Sequence, residues 1–185
     1  EEFSLFDEQF LNDVANMKEK NLAIEMLKKL LAQHIKKHQK KNLTQAELFS
    51  EMLDKRLAEY LRGMISNEEV IKELLEMAKL MKQHAEEGNA LGLSDEEQAF
   101  YDALTRPRAV KDFYENNQLV AMAREITDAL RKNRTLDWRQ KETARAKMRT
   151  MIKRLLKKYH YPPEEAQNAI EVVMRQCELW ADNEE

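Results

Sequence analysis

Cysteine, proline and glycine are all scarce in this chain, and each shortage removes a class of structure. One cysteine, Cys177, among 185 residues cannot form an internal disulfide, so a disulfide-stapled secreted scaffold is excluded. Three glycines, at 63, 88 and 92, leave no run able to bring backbone N–H groups against a phosphate, so a nucleotide-binding loop is excluded as well. Three prolines and few β-branched or aromatic residues argue against a sheet-based fold. No apolar run approaches the eighteen or so residues needed to span a bilayer. The opening ten residues begin acidic and lack a long apolar middle, so they do not read as a signal peptide. Together these features predict a cytoplasmic protein with no membrane partner.

What remains is helical chemistry. With 35% charged residues and ten methionines beside abundant Leu, Ala, Glu and Lys, the composition is that of an all-α protein. At this length about 70% of the unfolded surface can be buried, enough for a real core. Apolar residues recur at three-and-four spacing in successive stretches, which predicts about seven to nine helices. Three starts carry a hydroxyl followed three residues later by Glu: Thr44 with Glu47, Ser66 with Glu69, and Ser94 with Glu97. Gly88 and Gly92 read as helix stops, and His84 to Gly92 reads as a flexible loop. The expected organisation is a single domain over 1–185, with possible sub-lobes 1–87 and 93–185 joined by a glycine-containing loop at 88–92. Pro107 predicts a further break, and Pro163 can open the final helix, where its missing N–H costs nothing. No internal repeat of solenoid period is present.

Charge is the one property distributed unevenly. Between Arg131 and Lys158 there are twelve Lys or Arg and two acids, a net of +10 in a chain whose total is −3. Met148, Met151, Ile152, Leu155, Leu156 and Tyr159 give the same stretch one buried helical face. Arg139, Lys147, Arg149, Lys153, Arg154, Lys157 and Lys158 are therefore the candidate surface for a partner or for DNA, since phosphates require only clustered cations. The plainer reading is a solvated face balanced by the acids Glu164, Glu165, Glu171 and Glu178, and it is preferred, with the nucleic-acid reading of the helix over 137–159 kept open.

No catalytic constellation stands out in the sequence. His34 and His38 stand four apart, a spacing that can aim two imidazoles at one metal, but no Glu follows His34 and no third ligand is evident. Cys177 reads as a small core residue. Ser94-Asp95-Glu96-Glu97 resembles a hard-cation cluster less than a first helical turn complementing the helix dipole. Trp138 and Trp180 lie on apolar stripes and read as core rather than as base-stacking platforms. Nor does any Glu-x-x-His pattern support a cofactor buried between helices.

A resemblance joins these pieces. Lys132-Asn133, Thr135 and Asp137-Trp138, followed by the pattern from Ala144-Arg145 and Lys147-Met148-Arg149 through Lys153-Arg154 to Tyr161-Pro162-Pro163, resemble the end of the motor-nuclease (R) subunit of type I restriction-modification enzymes. The stretches Asn21–Leu31, Asn42–Leu53 and Leu91–Leu104 are similar to the same C-terminal helical domain, in the same order. The resemblance implies a non-catalytic assembly domain, docking that subunit to the methyltransferase and specificity subunits and to its own motor domains. The implied parent is a site-specific deoxyribonuclease and ATP-dependent DNA translocase that uses ATP and Mg2+. No residue of those active sites is present here, so no catalytic, cofactor or metal residue is assigned. An opening Glu1-Glu2 without Met fits an excised piece of such a parent.

Overall fold

The computed structural model describes residues 7–106, 110, 114–133 and 142–182, and among them the fold is all-α, with eight helices and no strand. They divide into two compact units, one formed by residues up to 39 and 46–89, the other by 40–45 and 90–185.

The first unit holds α1 (Glu8–Ala15), α2 (Lys20–His38), most of α3 (Leu43–Leu61) and most of α4 (Asn67–Ala90). Asp7 caps α1 by accepting from the Phe10 N–H at 3.2 Å. The apolar stripes meet as expected: Leu27 and Leu31 of α2, Phe49 and Leu53 of α3, and Val70 and Leu74 of α4 share one core. Ser66 and Glu69 form the reciprocal cap of α4, with backbone-to-side-chain distances of 3.1 and 3.2 Å. Two sequence expectations are corrected. Gly88 does not end α4 but lies buried within it, and the helix continues to Ala90, so the loop expected at 88–92 shrinks to the turn around Gly92, at φ +69°. Thr44 does not cap α3 either. The helix begins two residues earlier than that cap requires, at Leu43, and the Asn42 carboxamide accepts from the Gln45 N–H at 3.1 Å while Thr44 is buried in the first turn.

The second unit packs α5 (Asp95–Thr105), α6 (Asn116–Asn133), α7 (Glu142–Lys158) and α8 (Pro163–Asp182) around Phe100, Leu104, Leu119, Met122, Ile126, Ile152, Leu156 and Val173. Ser94 and Glu97 make the expected capping box, and Pro163 is the first residue of α8. The end of α7 is less ordinary. His160 donates to Lys157 O and Tyr161 to Leu156 O, a Schellman closure that forces His160 to φ +56°. The Tyr161 hydroxyl then donates to Leu104 O at 2.8 Å, pinning the turn to α5.

Residues 40–45 join this unit through two buried carboxamides. Asn42 donates to Asp102 Oδ2 at 2.6 Å, and Gln176 both accepts from the Leu43 N–H at 2.6 Å and donates to Lys40 O at 2.9 Å. Asn42, Asp102 and Gln176 are all buried. A buried amide is tolerated only when its donors and acceptors are paired, and here each pairs at both ends.

Three predictions follow from these contacts. Replacing Gln176→Leu strands the Leu43 N–H and Lys40 carbonyl, and should lower stability by about 2–3 kcal/mol in urea denaturation. His160→Gly relieves the left-handed backbone and should raise stability by about 1 kcal/mol in the same measurement. In the first unit, burial, with His38 and Lys37 beside it, pulls the His34 imidazole down from the usual 6.5 to about 4. The unfolded chain therefore takes up this proton first, so the stabilisation is complete above pH 6.5 and is lost as pH falls to about 4. Solvent screening of a half-buried group limits it to about 1–2 kcal/mol. A His34→Leu variant should flatten the loss of stability between pH 6.5 and 4, read as denaturation midpoints against pH.

Candidate functional site

The candidate surface is α7, and its two faces have opposite chemistry. Met148, Ile152 and Leu156 are buried, with Met151, Leu155 and Tyr159 packed against the same core, so the seam predicted from spacing is the one that forms. Burying three such side chains is worth roughly 1.5–3 kcal/mol each, which fixes the helix's rotation about its axis. Its polar residues then carry seven cations against one acid, Glu142.

Those cations fall into flanks and a ridge. On the flank toward α8, Arg145 pairs with Glu178 and Arg149 with Glu171 at 3.3 Å. On the flank toward α6, Lys158 pairs with Glu125 at 2.7 Å. Glu125 also accepts from the Tyr159 hydroxyl, which holds that phenol up to about 12, while the same Lys158 and Tyr159 hydrogen bonds keep the Glu125 carboxyl below its usual range. The outward ridge differs: Lys147, Lys153, Arg154 and Lys157 are exposed and form no ion pair with any described residue. Arg139 lies outside the described residues, as does Trp138.

Half of the expected acidic balance is thus present. Glu171 and Glu178 neutralise flank cations, whereas Glu164 and Glu165 sit in the first turn of α8, where they complement its dipole and make no ion pair with α7. Sequence reading missed Glu125 as the third acid, because it stands 33 residues before Lys158 and only the packing of α6 on α7 brings them together.

The other candidates resolve structurally. The rings of His34 and His38 lie with centroids 4.2 Å apart and tilted by 39°, and no group of three possible metal ligands occurs among the described residues. The acidic run at the start of α5 is matched by cations: Asp95 by Lys41 at 3.4 Å, Glu96 by Arg131 at 3.0 Å and Glu97 by Arg124 at 3.4 Å. Cys177 is buried, and Trp180 packs edge-on against Phe100 at 5.1 Å. Beside them lies a cavity of about 20 Å³, also bordered by Thr127, Leu130 and Met148, with room for little more than one water. In the first unit a groove of about 300 Å³ opens between α2 and α3, lined by Ile35, Lys36, Glu47, Ser50 and Asp54 among others. No helix among the described residues is long and apolar enough to cross a membrane.

Comparison with known proteins identifies the origin of this arrangement. The family described as "Type I restriction enzyme HindI endonuclease subunit-like, C-terminal" matches residues 1–183. The "Type I restriction enzyme HindI endonuclease subunit" of Haemophilus influenzae is 36% identical over 182 residues, 98% of this chain and 17% of that protein. The "Putative type I restriction enzyme MjaIXP endonuclease subunit" of Methanocaldococcus jannaschii is 31% identical over 158 residues, 85% of this chain and 15% of that protein. The chain therefore spans about a sixth of the length of the curated relatives it matches. No solved structure matches it. With the family covering all but its last two residues, this chain belongs to the C-terminal region of type I restriction enzyme endonuclease subunits.

Proposed function

We propose that the chain is a non-catalytic assembly domain, holding the motor-endonuclease subunit to the methyltransferase and specificity subunits during ATP-dependent DNA translocation and restriction. ATP and Mg2+ then belong to the remainder of the subunit, and this region itself neither cleaves DNA nor hydrolyses ATP. Membership of the endonuclease-subunit family supports the setting.

The observation that carries the docking role is the turn closing α3. Gly63 at φ +72° and Met64 complete a Schellman closure, Gly63 donating to Tyr60 O and Met64 to Glu59 O. Such a turn usually folds an apolar residue back onto the preceding helix. Here the residue waiting at that place is Glu59, so Met64 is 68% exposed, and Leu61 beside it is 82% exposed. Two large apolar side chains held out on a rigid turn are anchors of the kind that concentrate binding energy at an interface. Each is worth about 1.5–3 kcal/mol when buried.

In the full-length subunit, the double substitution Leu61→Asp and Met64→Asp should weaken association with the methyltransferase-specificity complex at least tenfold, measured by mass photometry over a concentration series. Circular dichroism should be unchanged, because neither side chain supports the core. Undiminished assembly would reject this docking surface.

A further inference from the structure

We propose that the outward ridge of α7 is a binding site for the phosphate backbone of double-stranded DNA. It is independent of the docking turn, which lies in the other unit. Three observations lead there.

The first is that the ridge survives neutralisation. The acids of the neighbouring helices that pair with α7, Glu125, Glu171 and Glu178, are each engaged by a flank cation. Lys147, Lys153, Arg154 and Lys157 face solvent with no ion pair to any described residue.

The second is what stands between them. Ala146 and Thr150 are exposed on the same face, and the Thr150 hydroxyl donates back to Ala146 O at 3.0 Å. Small side chains there leave the long cations free to reach past the helix surface. A protein partner would need an apolar centre to exclude water, and this face offers no large apolar side chain to build one. Phosphates need only cations.

The third is scale. From Lys147 to Lys157 the helix rises about 15 Å, at about 1.5 Å per residue. Duplex DNA carries one charge per roughly 1.7 Å of axis, so about nine phosphates lie along that length. Four mobile cations meet enough partners without base contacts or a fixed register. The expected binding is therefore sequence-independent and governed by counterion release.

The test is fluorescence anisotropy of the full chain with a labelled 30-base-pair duplex, titrated from 50 to 200 mM salt. Four phosphate contacts give a slope of log K against log salt of about −3.6, hence a loss of affinity of about a hundredfold over that range. Each alanine substitution at Lys147, Lys153, Arg154 or Lys157 should flatten the slope by about one, and all four together should abolish binding. A control removes the same charge from the exposed Lys28, Lys29, Lys72 and Lys79 of the first unit, and should bind as the parent does. Absence of binding at 50 mM salt overturns the proposal. So does an equal loss in the control, which would make the attraction diffuse, or an affinity for poly-L-glutamate equal to that for the duplex, which would point to an acidic protein instead.

Discussion

Two buried carboxamides decide where this chain can go. Asn42 and Gln176 lie in an apolar interior where an unpaired amide group costs about 1–3 kcal/mol, and their partners are available in only one arrangement. Gln176, on α8, reaches Leu43 N and Lys40 O; Asn42, in the turn before α3, reaches Asp102 on α5 and the Gln45 N–H. Apolar packing alone tolerates small rotations and slips between helices, but a set of directional bonds between residues 60 and 133 positions apart does not. The turn between α2 and α3 is therefore part of the second unit although both of its helices contribute to the first. The path between units follows from this: the chain leaves the first unit after residue 39, re-enters at 46 and leaves again after 89.

The second unit solves a charge problem in the same local way. Packing Met148, Ile152 and Leu156 inward leaves seven cations to distribute around the remaining surface of α7. Those at the edges of the buried seam come near the neighbouring helices, where an uncompensated charge is costly, and each of them has a carboxylate. Exposed pairs of this kind contribute only about 0.2–1 kcal/mol apiece. Their larger effect is on specificity, since exchanging α6 and α8 about the basic helix would separate Glu125 from Lys158 and Glu171 from Arg149 together. The tyrosines reinforce this order. Tyr114 donates to Tyr159 O and Tyr159 to Glu125, closing the C-terminal end of α7 against α6.

Local chemistry was legible in the sequence wherever it was sufficient. The capping boxes at Ser66 and Ser94, the opening of α8 at Pro163 and the buried seam of α7 depend on residues within one or two turns of each other, and all form as read. Gly88 was misread because a glycine can close a helix only where the chain is free to turn; Gly88 is buried inside α4, which runs on to Ala90. Thr44 was misread for a related reason. The cap falls instead to the Asn42 carboxamide, which accepts from the Gln45 N–H while its amide nitrogen is held by Asp102. Nothing near Asn42 in sequence announces that partner. The basic stretch was legible as a charge but not as a division into flanks and ridge, which depends on which acids the tertiary packing delivers.

That division also carries a cost. Lys153 with Lys157, and Arg154 with Lys158, are like charges four residues apart, and such pairs destabilise a helix by a few tenths of a kcal/mol each. A ridge meant only to be wetted would gain by mixing signs, as the start of α5 does with its acids matched to Lys41, Arg124 and Arg131. On α7 the repulsion is instead left in place and offset by the apolar seam beneath it. Any polyanion that settles on the ridge removes this repulsion while it binds, so part of its affinity comes from strain the folded helix already holds. Lys153, Arg154 and Lys157, which weaken α7 through these pairs, all belong to the ridge, so the residues that strain the helix are also ones that give it something to hold.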